Sequence, residues 1–143
     1  MAAPDINAIA QWVATTAQGA DPQIRGSSPE PLDTIPGTPY AVVGPPGEIT
    51  VLHGSWERVH IPYPLRVYVG RLADASRSTK TVNSMIGNLI AAFRLGGTEG
   101  GTVASSLLDG IRSDLYEDLG SERYQVIDAT VNVVVNDATG YTP

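Results

Sequence analysis

From Val82 to Phe93 the apolar residues Val82, Met85, Ile86, Leu89, Ile90 and Phe93 recur at i, i+3, i+4, i+7, i+8 and i+11, while Asn83, Gly87 and Arg94 fall off that stripe. Only an α-helix lines such residues up on one side, and a helix with one apolar side must bury it against another element. The spacing predicts a helix over about 79–95, capped by Ser78 or Thr79 and stopped by Gly96-Gly97. Gly87 costs about 1 kcal/mol against alanine in a helix interior, so it predicts either close packing against a sheet or a locally weak helix.

The surface that covers this stripe is supplied by β-type segments. Ile127, Ala129, Val131, Val133 and Val135 alternate with Asp128, Thr130, Asn132 and Val134, which predicts a closing strand over about 124–136. Leu65, Val67 and Val69 alternate with Arg66, Tyr68 and Gly70 in the same way, and residues 56–61 predict a further strand. Pro62 and Pro64 are expected to break pairing between these two, because proline donates nothing to a ladder. Residues 40–43 and 48–52 flank Gly44-Pro45-Pro46-Gly47, and a hairpin is the simplest reading. Over 102–119 helix and strand both fit, with strand preferred over 111–119 and Gly120-Ser121-Glu122 as the turn of a terminal hairpin.

Before the strands, Pro4 and Asp5 open a short N-terminal helix over about 4–18 with Ile6, Ile9, Ala10, Val13 and Ala17 on one side, stopped by Gly19 and Pro22. Residues 20–39 hold five prolines and read as an extended arm, longer than a compact domain keeps without a use. Residues 137–143 read as a flexible polar tail. No internal repeat is visible. The expectation is a single α+β domain over 1–143: an antiparallel or mixed β-sheet with one principal amphipathic helix on one face.

Composition narrows the function classes. At 143 residues the chain suffices for one core, and nine basic against fifteen acidic side chains give a net charge of −6, which disfavours a phosphate-binding nucleic-acid reader. There is no cysteine, hence no disulfide, thiol nucleophile or Cys-ligated zinc. No apolar run approaches a bilayer span, so no membrane partner is expected, and MAAPDIN shows no signal-peptide pattern.

No motif carries catalysis. His53 and His60 are seven apart, which fits no common metal-ligand spacing, and Ser55 lacks the G-x-S-x-G frame. The glycine-rich loop 96–101 lacks the G-K-[ST] of a phosphate loop and reads as a helix exit. Asp109, Asp114, Glu117 and Asp118 gather acid, for which a solvated face is the ordinary reading. No catalytic, cofactor or metal residue is therefore assigned. Charge distribution is more informative: residues 57–94 carry six basic and two acidic side chains, a net of +4, and residues 95–143 two basic against eight acidic, a net of −6. Two such blocks suit head-to-tail association of copies, or neutralise each other within one monomer. Trp56, Tyr63 and Tyr68 flank the basic block as interface-type aromatics, though core packing is the ordinary role for Tyr68.

In its order of elements the chain resembles the tail terminator (tail completion) proteins of long-tailed bacteriophages and, more loosely, their head-tail connector proteins. The features are the helix Ile6 to Ala17, the strand Thr38-Pro39-Tyr40-Ala41-Val42-Val43 after a proline-bearing arm, the strand Leu65 to Leu72, the helix Val82 to Leu95 and the strand Tyr124 to Asn136. The resemblance implies a non-enzymatic virion protein, made in the host cytoplasm, that forms a homo-oligomeric ring, a hexamer, on the head-proximal end of the tail. It implies contacts with the tail tube protein and a head-completion or connector protein, and DNA passing through the lumen unread. An acidic lining is compatible with such passage. Subunit contacts are expected at Trp56, Tyr63, Arg66 and Asp114, and a neighbour or tube contact at the 20–39 arm. The alternatives are a connector or tube subunit of the same assembly, and a small α+β hydrolase or ligand-binding domain using His53 or His60.

Overall fold

A computed structural model of the chain describes residues 5–52, 58–71, 79–94 and 105–136. Its elements run α1 (Ile6–Ala20), β1 (Gly26–Ser28), β2 (Tyr40–Val43), β3 (Thr50–Leu52), β4 (Arg58–Arg71), α2 (Thr79–Arg94), β5 (Ser105–Leu119) and β6 (Glu122–Asn136). The strands form one mixed six-stranded sheet in the order β1-β2-β4-β6-β5, with β3 on the same side of β4 as β2. Among the described strands only β1 and β2 run parallel. Both helices lie on one face of the sheet, so the α+β expectation holds.

Asp5 caps α1 by accepting a hydrogen bond from the Ala8 amide at 3.0 Å, and Ile9, Ala10, Val13, Ala14 and Ala17 are buried. The helix continues past Gly19 to Ala20 and ends at Asp21, whose carboxylate is 2 % exposed. That buried charge is held by the Gln23 amide at 2.8 Å and by Asn88 Nδ2 of α2 at 2.9 Å, so one side chain ties the exit of α1 to the middle of α2. Val82, Met85, Leu89 and Phe93 of α2 are buried, Ile86 and Ile90 pack at their margin, and Trp12 meets the Phe93 ring edge-on at 6.0 Å.

The sheet receives these helices on the odd-numbered side chains of β4, Val59 to Val69, and on Ile127, Ala129, Val131, Val133 and Val135 of β6. Contrary to expectation, β4 runs unbroken through Pro62 and Pro64. The carbonyls of these two prolines accept hydrogen bonds from Gly47 and Gly44, each at 2.9 Å. Their missing N–H groups therefore face that margin, and the ladder to β6 is carried by the residues between them. The hairpin expected for residues 40–52 does not form either. β2 and β3 both pair with β4, because Pro45 and Pro46 cannot donate and the segment between Gly44 and Gly47 bows outward without reversing.

Residues 105–119 are strand throughout, which resolves the ambiguity over that segment from Ser105 onward. Two register shifts, between Asp109 and Arg112 and between Arg112 and Leu115, interrupt pairing with β6. Gly110 at the first shift and Gly120 in the hairpin turn have φ of 60° and 64°, conformations that side chains with a Cβ resist. Gly120-Ser121 joins Leu119 to Glu122 as a two-residue turn with glycine first, the II′ pattern. Within the 20–39 arm, β1 extends the sheet, Ile24 and Ser28 are buried, and the Thr38-Pro39 bond is cis. The tail 137–143, the loop 96–101 and Ser78 lie outside the described residues.

Gly87 is exposed, with open space around the position a Cβ would take, so neither close packing nor backbone strain requires glycine there. Gly87→Ala should raise stability by about 1 kcal/mol in urea denaturation. At the next position the opposite holds: Asn88→Ala should cost about 1–3 kcal/mol by leaving the buried Asp21 carboxylate short of a donor.

Candidate functional site

The other face of the sheet carries no helix among the described residues, and the even-numbered positions of β4 point into it. Its upper half holds a small apolar cluster of Val42, Tyr68, Tyr124 and Val126, against which Leu32 and Ile35 of the arm pack. Tyr68 and Tyr124 meet edge-on at 5.4 Å. Beside this cluster lies a cavity of about 300 Å³, walled by Pro31, Leu32, Val42, Pro45, Pro64 and Leu119, with Arg66, Tyr68 and Glu117 as its polar side.

Arg66 is paired across strands. Its Nη1 lies 2.7 Å from Glu117 Oε1, its Nε donates to Asp128 Oδ1 at 3.2 Å, and the Tyr68 hydroxyl donates to Glu117 Oε2 at 2.9 Å. Partial burial works against the guanidinium charge, but the hydrogen bond to Asp128 and the two carboxylates outweigh it and hold the group above its ordinary value. Tyr68 is pushed up to about 12, mainly by burial and then by its bond to Glu117 and that carboxylate's charge, with Arg66 opposing. Arg71 reaches Glu122 at 3.5 Å. Two arginines of the basic block thus pair with acids of the later block within one monomer, in the manner of the intramolecular alternative.

Of the four expected contact residues, the three that are described do not form one surface. Arg66 is half-exposed but already paired, and Asp114 on β5 is exposed and paired with Arg112 at 3.3 Å, which holds its carboxyl below the usual range. Tyr63 is a correction: it has 0 % exposure and its hydroxyl donates to the Ile6 carbonyl at 2.9 Å, so its ring offers nothing to a neighbour. Trp56, with His53 and Ser55, lies outside the described residues. His60 shares a hydrogen bond of 3.2 Å with the side-chain oxygen of Asn132 rather than with a carboxylate. Among the described residues no group of three or more His, Cys, Asp or Glu is placed to hold a metal, and no helix is long and apolar enough to cross a membrane.

Reasoning from sequence missed the Arg66, Glu117, Tyr68 and Asp128 cluster. Its signal was present only as opposite charges at off-core positions of two alternating segments, and Arg66 and Asp128 face each other only once the register of β4 on β6 is known. Large apolar side chains are exposed at both margins of the sheet: Ile49 and Val51 at 41 % and 51 % on the β3 side, Leu107 and Tyr116 at 53 % and 57 % on the β5 side. Compared with known proteins, the chain matches no protein-family model and no curated sequence.

Tyr63 is also pushed up to about 12, by burial and then by the charge of Asp5. Both phenols are thus raised above their unfolded value of about 10, so the stabilisation tied to their neutral form is complete below that pH and lost as pH rises towards about 12. Urea denaturation across this alkaline window should show falling stability. Combining Tyr63→Phe with Tyr68→Phe should flatten that slope, and an unchanged slope would contradict the assignment.

Proposed function

We propose that this chain is a ring-forming virion structural protein of the tail-terminator type, which caps the head-proximal end of a phage tail tube, stops its growth and offers the surface on which the head joins. The observation that carries this reading is the pair of apolar margins at opposite sides of one sheet, Ile49 with Val51 and Leu107 with Tyr116. These two margins are different surfaces of the chain, on the β3 and β5 sides of the sheet. A contact between different patches is heterologous, and it closes into a ring when the rotation between copies divides a full turn, with six copies as the expected number. Scattered apolar residues on a surface are ordinary, but two groups on opposing margins of a small sheet suit contact with further copies. The element order that resembles terminator proteins supports the same reading.

On this reading the partners are further copies of the chain, the tail tube protein and a head-completion or connector protein. The overall charge of −6 suits a conduit through which DNA slides without being held. The protein would then reside in the virion at the head-proximal end of the tail.

Purified protein mixed with preformed tail tubes and viewed by electron microscopy should show a closed ring at one tube end, with tube elongation arrested. Open-ended polymerisation of the chain itself would make it a tube subunit. Turnover of a small molecule that is abolished by His60→Ala would replace the reading with a hydrolase.

A further inference from the structure

We infer that neighbouring copies join by strand addition, the start of β5 in one copy pairing antiparallel with β3 of the next, so that one sheet runs on across the subunit boundary. This rests on the ring reading above and names the surfaces that carry it.

The pattern of backbone hydrogen bonds is the first support. The carbonyls of Pro62 and Pro64 point to the β2/β3 margin, so the even-numbered residues of β4 bond there and the odd-numbered ones bond β6. His60 with Thr50 is then a bonded pair, and the N–H and C=O of Val51, between Thr50 and Leu52, point outward. Across the sheet the same alternation makes Asn132 with Leu107 a bonded pair and turns the backbone groups of Ser106 and Leu108 outward. Among the described residues no strand takes up either set.

Strand direction is the second support. β3, β4, β6 and β5 alternate in direction, so β3 and β5 run opposite ways. A copy set beside the first in the same orientation therefore brings β3 antiparallel to β5, with no inversion. With Thr50 opposite Leu107, both side chains lie on the helix-free face, while Ile49 meets Leu108 and Val51 meets Ser106 on the helix face. The exposed Ile49, Val51 and Leu107 are covered together.

Charge is the third. β5 carries Asp109, Asp114, Glu117 and Asp118 against Arg112, whereas β3, Thr50-Val51-Leu52, carries no charge. A two-fold contact of β5 along its length with its own copy would bring several like charges together, whereas Ser105 to Leu108 meet β3 without a charge, and Glu48 opposite Asp109 marks where the pairing ends. The uncharged start of β5 is also the part that precedes the two register shifts. Such shifts bend a strand and interrupt regular pairing, so the uncharged start is the part suited to a straight ladder. β1 projects one strand beyond β3 at the far end of the sheet, so a neighbouring strand has room at the β3 end alone.

The chain has no cysteine, so introduced ones report cleanly. Full-length Thr50→Cys and Leu107→Cys variants, oxidised as a mixture, should yield a disulfide-linked dimer containing one of each, with little from either alone. Val51→Pro removes the outward N–H and leaves the β3 ladder to β4 intact. It should weaken assembly in sedimentation at least tenfold with the thermal midpoint unchanged. Leu107→Lys should do the same by a different route, should the proline variant fail to fold. Efficient cross-linking of Leu107→Cys with itself, or rings persisting in both Val51→Pro and Leu107→Lys, would overturn the pairing while leaving the ring reading in place. A wild-type chain that stays monomeric at every concentration, alone and with tubes, would overturn both.

Discussion

β4 bonds on both sides at once, and the rest of the sheet is arranged around how it divides its backbone groups. Its odd-numbered residues ladder to β6 as far as Val67, and Val59, Ile61, Tyr63, Leu65, Val67 and Val69 enter the helix-side core. Its even-numbered residues serve β2, β3 and the proline-bearing link between them. Because Pro62 and Pro64 both fall in the even set, neither costs the fourteen-residue strand a bond to its main partner, and pairing with β6 shifts register only between Tyr68 and Gly70. Tyr63, at the centre, ties α1 to this strand through the Ile6 carbonyl. One residue of slip would send the core set to solvent and turn both prolines toward β6.

That division makes the two faces different in kind. One is a continuous apolar layer beneath α1 and α2. The other has a small aromatic cluster under the arm and a patch in which Arg66 holds Glu117 and Asp128. Since Arg66 and Arg71 of the basic block are already paired with Glu117, Asp128 and Glu122 inside the monomer, these arginines have less to offer between copies. What is left at the margins is apolar side chains and outward-facing peptide groups, the materials of strand addition rather than of salt-bridged docking.

Several elements were legible from residue order because their determinants are local. The stripe from Val82 to Phe93, the Asp5 cap and the alternation from Ile127 to Val135 each report a period or a hydrogen bond confined to a few residues. Others depended on a partner strand. Gly44-Pro45-Pro46-Gly47 has the composition of a turn but lies along β4, because Gly44 and Gly47 find proline carbonyls there. β1 has no pattern of its own, being Gly26-Ser27-Ser28, and becomes a strand only by pairing with β2. Tyr63 has the chemistry of an interface residue, and only its place in an inward-facing register commits it to the core.

The residues alone determined that this chain would build an α+β domain with an amphipathic helix on a half-buried sheet, since helical and strand periods are written directly into the spacing of apolar side chains. They also determined an acidic chain without cysteine chemistry. The tertiary structure decided which backbone groups face outward, which charges cancel, and which apolar residues stay uncovered. Those outcomes depend on strand order and register, set by contacts between segments as far apart as Arg66 and Asp128, and no local pattern encodes a pairing over that distance.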